Sequence, residues 1–438
     1  LWSTNQAAGK DHQDDPQSTD AQAFKTLSDE NRLALLWPTC EPNFAGQKDG
    51  ASLRRGVGMD MSWLGWNGSD IGALLSITNP ILALAALVSL GLLWFSLRAT
   101  RRWLTVSVGI FLHAVALLSI ASYFQFGHFR FDRYINPHDV YHYYIGAKYS
   151  PEVGYTRQYC ASAAADMEGR RLLAASEIRD LSNYKYIKVD QINDKLESCK
   201  ARFSPSRWEE FKRDIEAFQD LVPTWKWQAM LKDKGYNATP AWTSIASRIA
   251  NLVPIDTPWG RGIIVSIDLF LLALMFAGIG WAFGYRAMLL AVAFFGINYF
   301  TSCVHIKGAF MRFDWLVTLV LSVCAARKER FKTAGVLLGL STASRFFPAV
   351  FAFGPLVLLV LGAWKTRKLD KQLVGFAAAL VATSVLVVAA TALDYRGVEP
   401  WQTFLHKMGL HNGDFSSSRV GFKYVFVHFL IGDVGSWR

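Results

Sequence analysis

The stretch Asn136-Pro137-His138-Asp139-Val140-Tyr141-His142-Tyr143-Tyr144-Ile145-Gly146-Ala147-Lys148-Tyr149 packs one acid, two histidines, four tyrosines and a lysine together. It begins about a dozen residues after an apolar run long enough to cross a bilayer, so Asp139 is expected at the membrane–water boundary. A carboxylate held there can take a proton from an acceptor hydroxyl that meets a lipid-borne donor. Asp139 also follows Pro137 where a helix is expected to start, so it reads as a helix cap as well. The two roles are compatible, because the N–H groups of a helix start orient a carboxylate and keep it ionised. His138 and Tyr144 flank the acid as candidate substrate contacts.

The surrounding chain supplies the membrane. Of 438 residues 52% are hydrophobic and 18% charged, whereas charged residues make up about a quarter of a soluble domain. The net charge of +11 could suit a nucleic-acid binder. Its lysines and arginines, however, gather in short clusters between apolar runs: Arg98–Arg102, Arg327–Arg330 and Lys365–Lys368. Basic short loops mark the cytoplasmic face of a membrane protein, so topology accounts for the charge and no nucleic-acid partner is expected.

Eight apolar runs are predicted to be helical crossings: 77–97, 103–123, 261–283, 287–304, 313–326, 333–345, 347–364 and 372–392. Placing 98–102, Arg286, 327–332 and 365–371 in the cytoplasm collects twelve Lys or Arg against two acids. The division is then a polar tail (1–58), two crossings (59–123), an external cap (124–260), a bundle (261–392) and an external segment (393–438). The tail is assigned no chemistry and reads as an upstream extension or a poorly packed tail, with Met59 and Met61 as natural starts. The run 425–431 reads as the start of a further crossing. Within the cap, 163–181, 188–201 and 206–221 are predicted amphipathic helices, the last with a capping box at Ser206–Glu209. Five cysteines are too few for a disulfide scaffold. Cys303 and Cys324 read as small buried hydrophobes, while Cys160 and Cys199 could pair if the cap is external.

His138–Ala147 resembles the acidic-aromatic motif in the first external loop of glycosyltransferase family 87, polyprenol-phosphate-mannose-dependent enzymes of the GT-C fold. Ala334–Pro348 is similar to that family's glycine-rich helix ending in a basic residue, an aromatic pair and proline, with Arg345 where lysine is commoner. Gly308-Ala309-Phe310 stands where the family often has Gly-Gln, and Trp401–Phe426 where it carries a late external loop. The resemblance spans about 103–426. An extra crossing before the motif and an unusually large first loop depart from the pattern.

The resemblance implies an all-α polytopic GT-C-like bundle with a large external loop, in the bacterial inner membrane. It implies inverting transfer from a polyprenyl-phosphate sugar to a lipid or glycan acceptor on the periplasmic face, with Asp139 as general base. Cations must then stabilise the lipid-phosphate leaving group. Arg345 is the first candidate, because a charge beside a helix break is costly in lipid and implies a partner; otherwise it snorkels to the interface. Lys148, Lys307, Arg312 and His411 are secondary candidates or interfacial anchors. Arg312-Phe313-Asp314 either neutralises charge at a crossing boundary or offers Asp314 as a second acid for sugar hydroxyls. The 126–134 run reads as an aromatic belt, with Asp132 close enough to compete for the base role.

His128, His138 and His142 lie within 15 residues and invite a metal reading but match no strong zinc signature. The chain has neither a phosphate-cradling loop nor a dinucleotide fingerprint, so no cofactor is expected, a divalent metal being the minor alternative. Two rivals stand beside the enzyme. One is an accessory or scaffold subunit that keeps the fold without turnover and works with partner subunits. The other is a transporter of a lipid-linked precursor, for which inverted repeats are expected and none is seen.

Overall fold

The computed structural model describes residues 68–96, 98, 101–127, 134–297 and 307–413. Readings that fall on 1–58, Asp132, His128, Cys303 and the chain after residue 413 lie outside the described residues.

In chain order the helices are α1 (Gly68–Ser96), α2 (Arg102–Tyr123) and α3 (Pro137–Val140), the last running into a π-turn, Tyr141–Ile145. The cap then holds α4 (Gln158–Glu168), strands β1 (Glu177–Arg179) and β2 (Tyr186–Lys188), α5 (Asn193–Lys200), α6 (Pro205–Leu221), α7 (Thr224–Met230) and α8 (Pro240–Leu252). The bundle continues with α9 (Pro258–Phe283), α10 (Tyr285–Ile297), α11 (Asp314–Arg327), α12 (Phe331–Ser344), α13 (Phe353–Thr366), α14 (Lys371–Asp394) and α15 (Glu399–Gly413).

Among the described residues, five stretches are long and apolar enough to span a membrane: Ile77–Ser96, Arg102–Tyr123, Pro258–Phe283, Phe347–Thr366 and Lys371–Asp394. Their outer faces carry large apolar side chains such as Phe270, Val350 and Leu386, a surface that suits lipid and is costly in water. Of the remaining predicted crossings, α11 and α12 are shorter helices that pack on each other, α11 also on α9 and α12 also on α14, and the described part of α10 packs on α2.

Close packing explains the glycine-rich helix. A Cβ on Gly335 would stand 2.3 Å from the Phe376 carbonyl oxygen, so α12 and α14 touch backbone to backbone. Small residues permit such approach between apolar helices. Ser322 donates to the Ala334 carbonyl at 2.7 Å and Ser341 to the Trp315 carbonyl at 2.7 Å, which joins α11 to α12.

The cap has its own core, in which Tyr141 packs edge-on against Phe218 and Trp227. Cys160 and Cys199 form a disulfide that ties α4 to α5. The helix expected over 163–181 is a correction: α4 stops at Glu168, Arg171 takes a left-handed φ of 56°, and β1 pairs antiparallel with β2. Leu173, Ile178 and Leu181 are nevertheless buried. Their spacing reported burial, which a turn-and-strand path satisfies as well as a helix does. The 188–201 helix is likewise shorter, Asn193–Lys200, and α6 is capped by Ser204, whose hydroxyl accepts from the Arg207 N–H at 3.4 Å, ahead of the expected Ser206 box.

Candidate functional site

The site forms where the cap meets the ends of α11 and α12 that lie opposite their basic clusters (Arg327-Lys328 and Arg330). Asn136, rather than Asp139, is the cap of α3: its side chain accepts from the Asp139 N–H at 3.2 Å, and Pro137 opens the helix. Asp139 is therefore an early helical residue, 7% exposed. Its Oδ2 lies 3.1 Å from Nε of Arg312.

Arg312 is held from three sides. Its guanidinium lies on the face of Tyr143, 3.8 Å from the ring centre. Its backbone N–H donates to Asp268 at 3.0 Å, and that of Phe313 donates to the other Asp268 oxygen at 3.1 Å. Trp242 donates its indole N–H to the Met311 carbonyl at 2.9 Å. Met311 has a left-handed φ of 50° and Gly308 one of 66°, so the 307–313 turn is a shaped loop clamped at several points.

Arg345 follows the last residue of α12 and reaches the same place. Its guanidinium lies 6.0 Å from the Tyr143 ring centre and 5.9 Å from that of Trp242. Thr239, the cap of α8, donates to the Ala343 carbonyl at 2.8 Å. The first turn of α8 thus fastens both arginine-bearing segments, Trp242 the one and Thr239 the other. Asp314 completes the group, accepting from the Ser344 hydroxyl.

Burial pushes the Asp139 carboxyl up, against the opposing pull of Arg312, His138 and Arg345. The Arg312 guanidinium is raised further, because Asp139 and Tyr143 outweigh its own burial. Among the described residues, Oδ1 of Asp139, Oδ1 of Asp314, Nη1 of Arg312 and Nη2 of Arg345 are buried and hydrogen-bond to no protein group. Proteins leave few such groups, and here two acceptors and two charged donors share one locus. Chemically, the donors suit an anion and the acceptors suit hydroxyls.

Other expected contacts fall elsewhere. Lys307 opens the 307–313 turn and sits over the Tyr123 ring at 4.9 Å, and burial lowers its ammonium to about 8. Tyr144 donates its hydroxyl to the carbonyls of Ala250 and Val253, a tie within the cap. Lys148 is buried against Asp214 (2.7 Å) and Glu210 (2.8 Å), inside the protein rather than at an interface. His411, on α15, lies 3.3 Å from the Tyr184 hydroxyl. His138 points to the cap, donating from Nε2 to Asp233 at 3.1 Å.

Asp268, Asp233, Thr239 and Trp242 were not singled out from sequence. Asp268 carried a usable signal, as an acid inside an otherwise apolar run. Surface clefts of about 200 Å³ beside His113 and Tyr285 and about 520 Å³ beside Trp208 and Glu209 do not touch the acid–guanidinium cluster. Those clefts are ordinary surface relief, whereas the buried polar cluster carries functional groups.

Comparison with protein-family models, with curated proteins and with solved structures gives no match for this chain.

Proposed function

We propose that the chain is a membrane glycosyltransferase that moves a sugar from a polyprenyl-phosphate donor to a lipid or glycan acceptor on the external face. The carrying observation is the meeting of Asp139, Arg312, Asp314 and Arg345 around Tyr143 and Trp242. In this reading the acceptor oxygen attacks the anomeric carbon as the bond from that carbon to the phosphate oxygen breaks. The acceptor proton passes to Asp139, and the electron pair leaves with the lipid phosphate, whose second charge Arg345 and Arg312 receive. Asp314 takes sugar hydroxyls. The ion pair between Asp139 and Arg312 is the resting state, and the donor phosphate draws the guanidinium off the base. Exposed Phe346 and Phe347 beside Arg345 give the lipid tail an apolar approach.

The test is sugar transfer in membranes supplied with polyprenyl-phosphate sugars, comparing wild type with Asp139→Asn and Asp139→Glu. The asparagine variant is expected to lose about 10²–10⁴-fold, the scale of a general base, while glutamate keeps part of the activity. Equal transfer by wild type and Asp139→Asn removes Asp139 from the mechanism. The pairing of Asp139 with Arg312 also suits a scaffold subunit that has kept the fold and lost turnover. That second reading predicts no transfer by wild type alone.

A further inference from the structure

We propose that His138, His142 and Asp233 form a divalent-metal site that fastens the Asp139 helix to the cap. One nitrogen from each histidine and one carboxylate oxygen of Asp233 all lie within 4.8 Å of one another. The two histidines stand one turn apart, with ring centres separated by 4.7 Å. Asp233 arrives from 95 residues further along the chain, in the loop after α7.

The surroundings fit a ligand set. The Nδ1–H of His142 donates to the His138 carbonyl at 2.6 Å. That bond fixes the proton on Nδ1 and leaves Nε2 with its lone pair, the usual arrangement behind a metal-bound imidazole. Nε2 now accepts from the Tyr159 hydroxyl at 2.6 Å, so a metal there requires Tyr159 to turn its O–H aside. His138 retains a buried Nδ1 with no hydrogen-bond partner among the described residues.

Two imidazoles and one carboxylate are a borderline donor set that suits zinc or cobalt(II) better than magnesium or calcium, which prefer oxygen. Three protein ligands leave a position for water. His138 and Asp233 are partly exposed, which gives the ion a path in from the cap surface. Because His138 directly precedes Asp139 and His142 lies in the π-turn behind it, an ion here would fix the pitch of the helix that carries the acid. The site is a staple, and the ion takes no part in bond making.

The experiment uses tag-free, full-length protein in detergent, stripped with a chelator and then titrated with Zn²⁺ in competition with a chromophoric chelator. Co²⁺ binding is followed separately by its visible d–d spectrum. Wild type is expected to take up a single equivalent, to show the intense bands of four-coordinate cobalt, and to gain thermal stability with added zinc. His138→Gln and Asp233→Asn, both at partly exposed positions, are expected to fold normally and to bind at least about tenfold more weakly. No saturable uptake by wild type, or unchanged uptake by both variants, overturns the site and leaves His138 and Asp233 as a plain hydrogen-bonded pair. Neither readout involves sugar transfer, so failure here does not bear on that reading.

Discussion

The carboxylate of Asp268, buried within α9, accepts the backbone N–H groups of both Arg312 and Phe313. A side chain about 15 Å along its helix thereby sets the path of the turn that presents Arg312 to Asp139. Asp268→Leu leaves two buried N–H groups without partners, at about 1–3 kcal/mol each. Asp268→Asn keeps one acceptor and is expected to fall between leucine and wild type. Thermal unfolding in detergent and transfer turnover should follow the same order. Wild-type stability for Asp268→Leu would show that the turn is held without it.

The ion pair of Asp139 and Arg312 gives a second prediction. Arg312→Gln leaves a buried carboxylate with its main counter-charge removed, at about 3–5 kcal/mol. Asp139→Asn in the same chain removes that charge and is expected to recover part of the loss. A double-mutant cycle by denaturant unfolding measures the coupling, expected in the range of about 0.5–3 kcal/mol. Additive effects would mean that the two groups do not sense each other. Arg345→Gln, whose partners are looser, should lower turnover more than it lowers stability.

The contrast between residues explains what could be read from the sequence. Arg312, Asp314 and Arg345 stood out because ionisable groups at the ends of apolar runs are costly unless used, and Asp139 because it opens an aromatic-rich motif a short way beyond one. The apolar runs themselves gave the positions of α2, α9 and α14 to within a few residues, and the end but not the start of α1, because burial in lipid demands length and little else. Thr239 and Trp242 gave no signal: their work is to donate to carbonyls 104 and 69 positions away, and a threonine or tryptophan in a helical stretch looks like packing. Asp233 was invisible as a partner of His138 for the same reason. The 163–181 stretch failed differently, since its apolar spacing was real but a left-handed Arg171 redirected the chain into the β1–β2 ribbon.

Lys407 makes the docking of α15 on the cap depend on pH. It is 1% exposed, donates to the Leu181 carbonyl at 3.2 Å and lies 4.6 Å from the centre of the Tyr184 ring. Burial, helped by Arg179 and opposed by Asp180 and Asp233, lowers it from 10.5 to about 7. The folded pKa lies below the unfolded one, so between about 7 and 10.5 the unfolded chain holds a proton that the folded chain lacks. Stability therefore rises with pH across that window and levels off above it. Lys407→Met is expected to be more stable than wild type at neutral pH, with the difference in Tm shrinking toward pH 10. A constant difference from pH 7 to 10 would mean that the ammonium keeps its ordinary pKa.

Lys148 offers the sharpest test of position against expectation. As a substrate contact it would affect transfer; where it stands, its ammonium lies 2.7 Å from Asp214, to which Tyr149 also donates at 2.8 Å. Both side chains of the pair are 4% exposed, so Lys148→Met strands a buried carboxylate, at about 3–5 kcal/mol. The cap should then unfold at lower temperature and be cut faster by protease, with KM for the donor unchanged below the transition. Lys148→Met combined with Asp214→Leu replaces the pair by apolar groups and is expected to restore most of the stability, as such exchanges often do. A variant that keeps wild-type stability but loses donor affinity would move Lys148 from the cap's interior chemistry to the proposed transfer site.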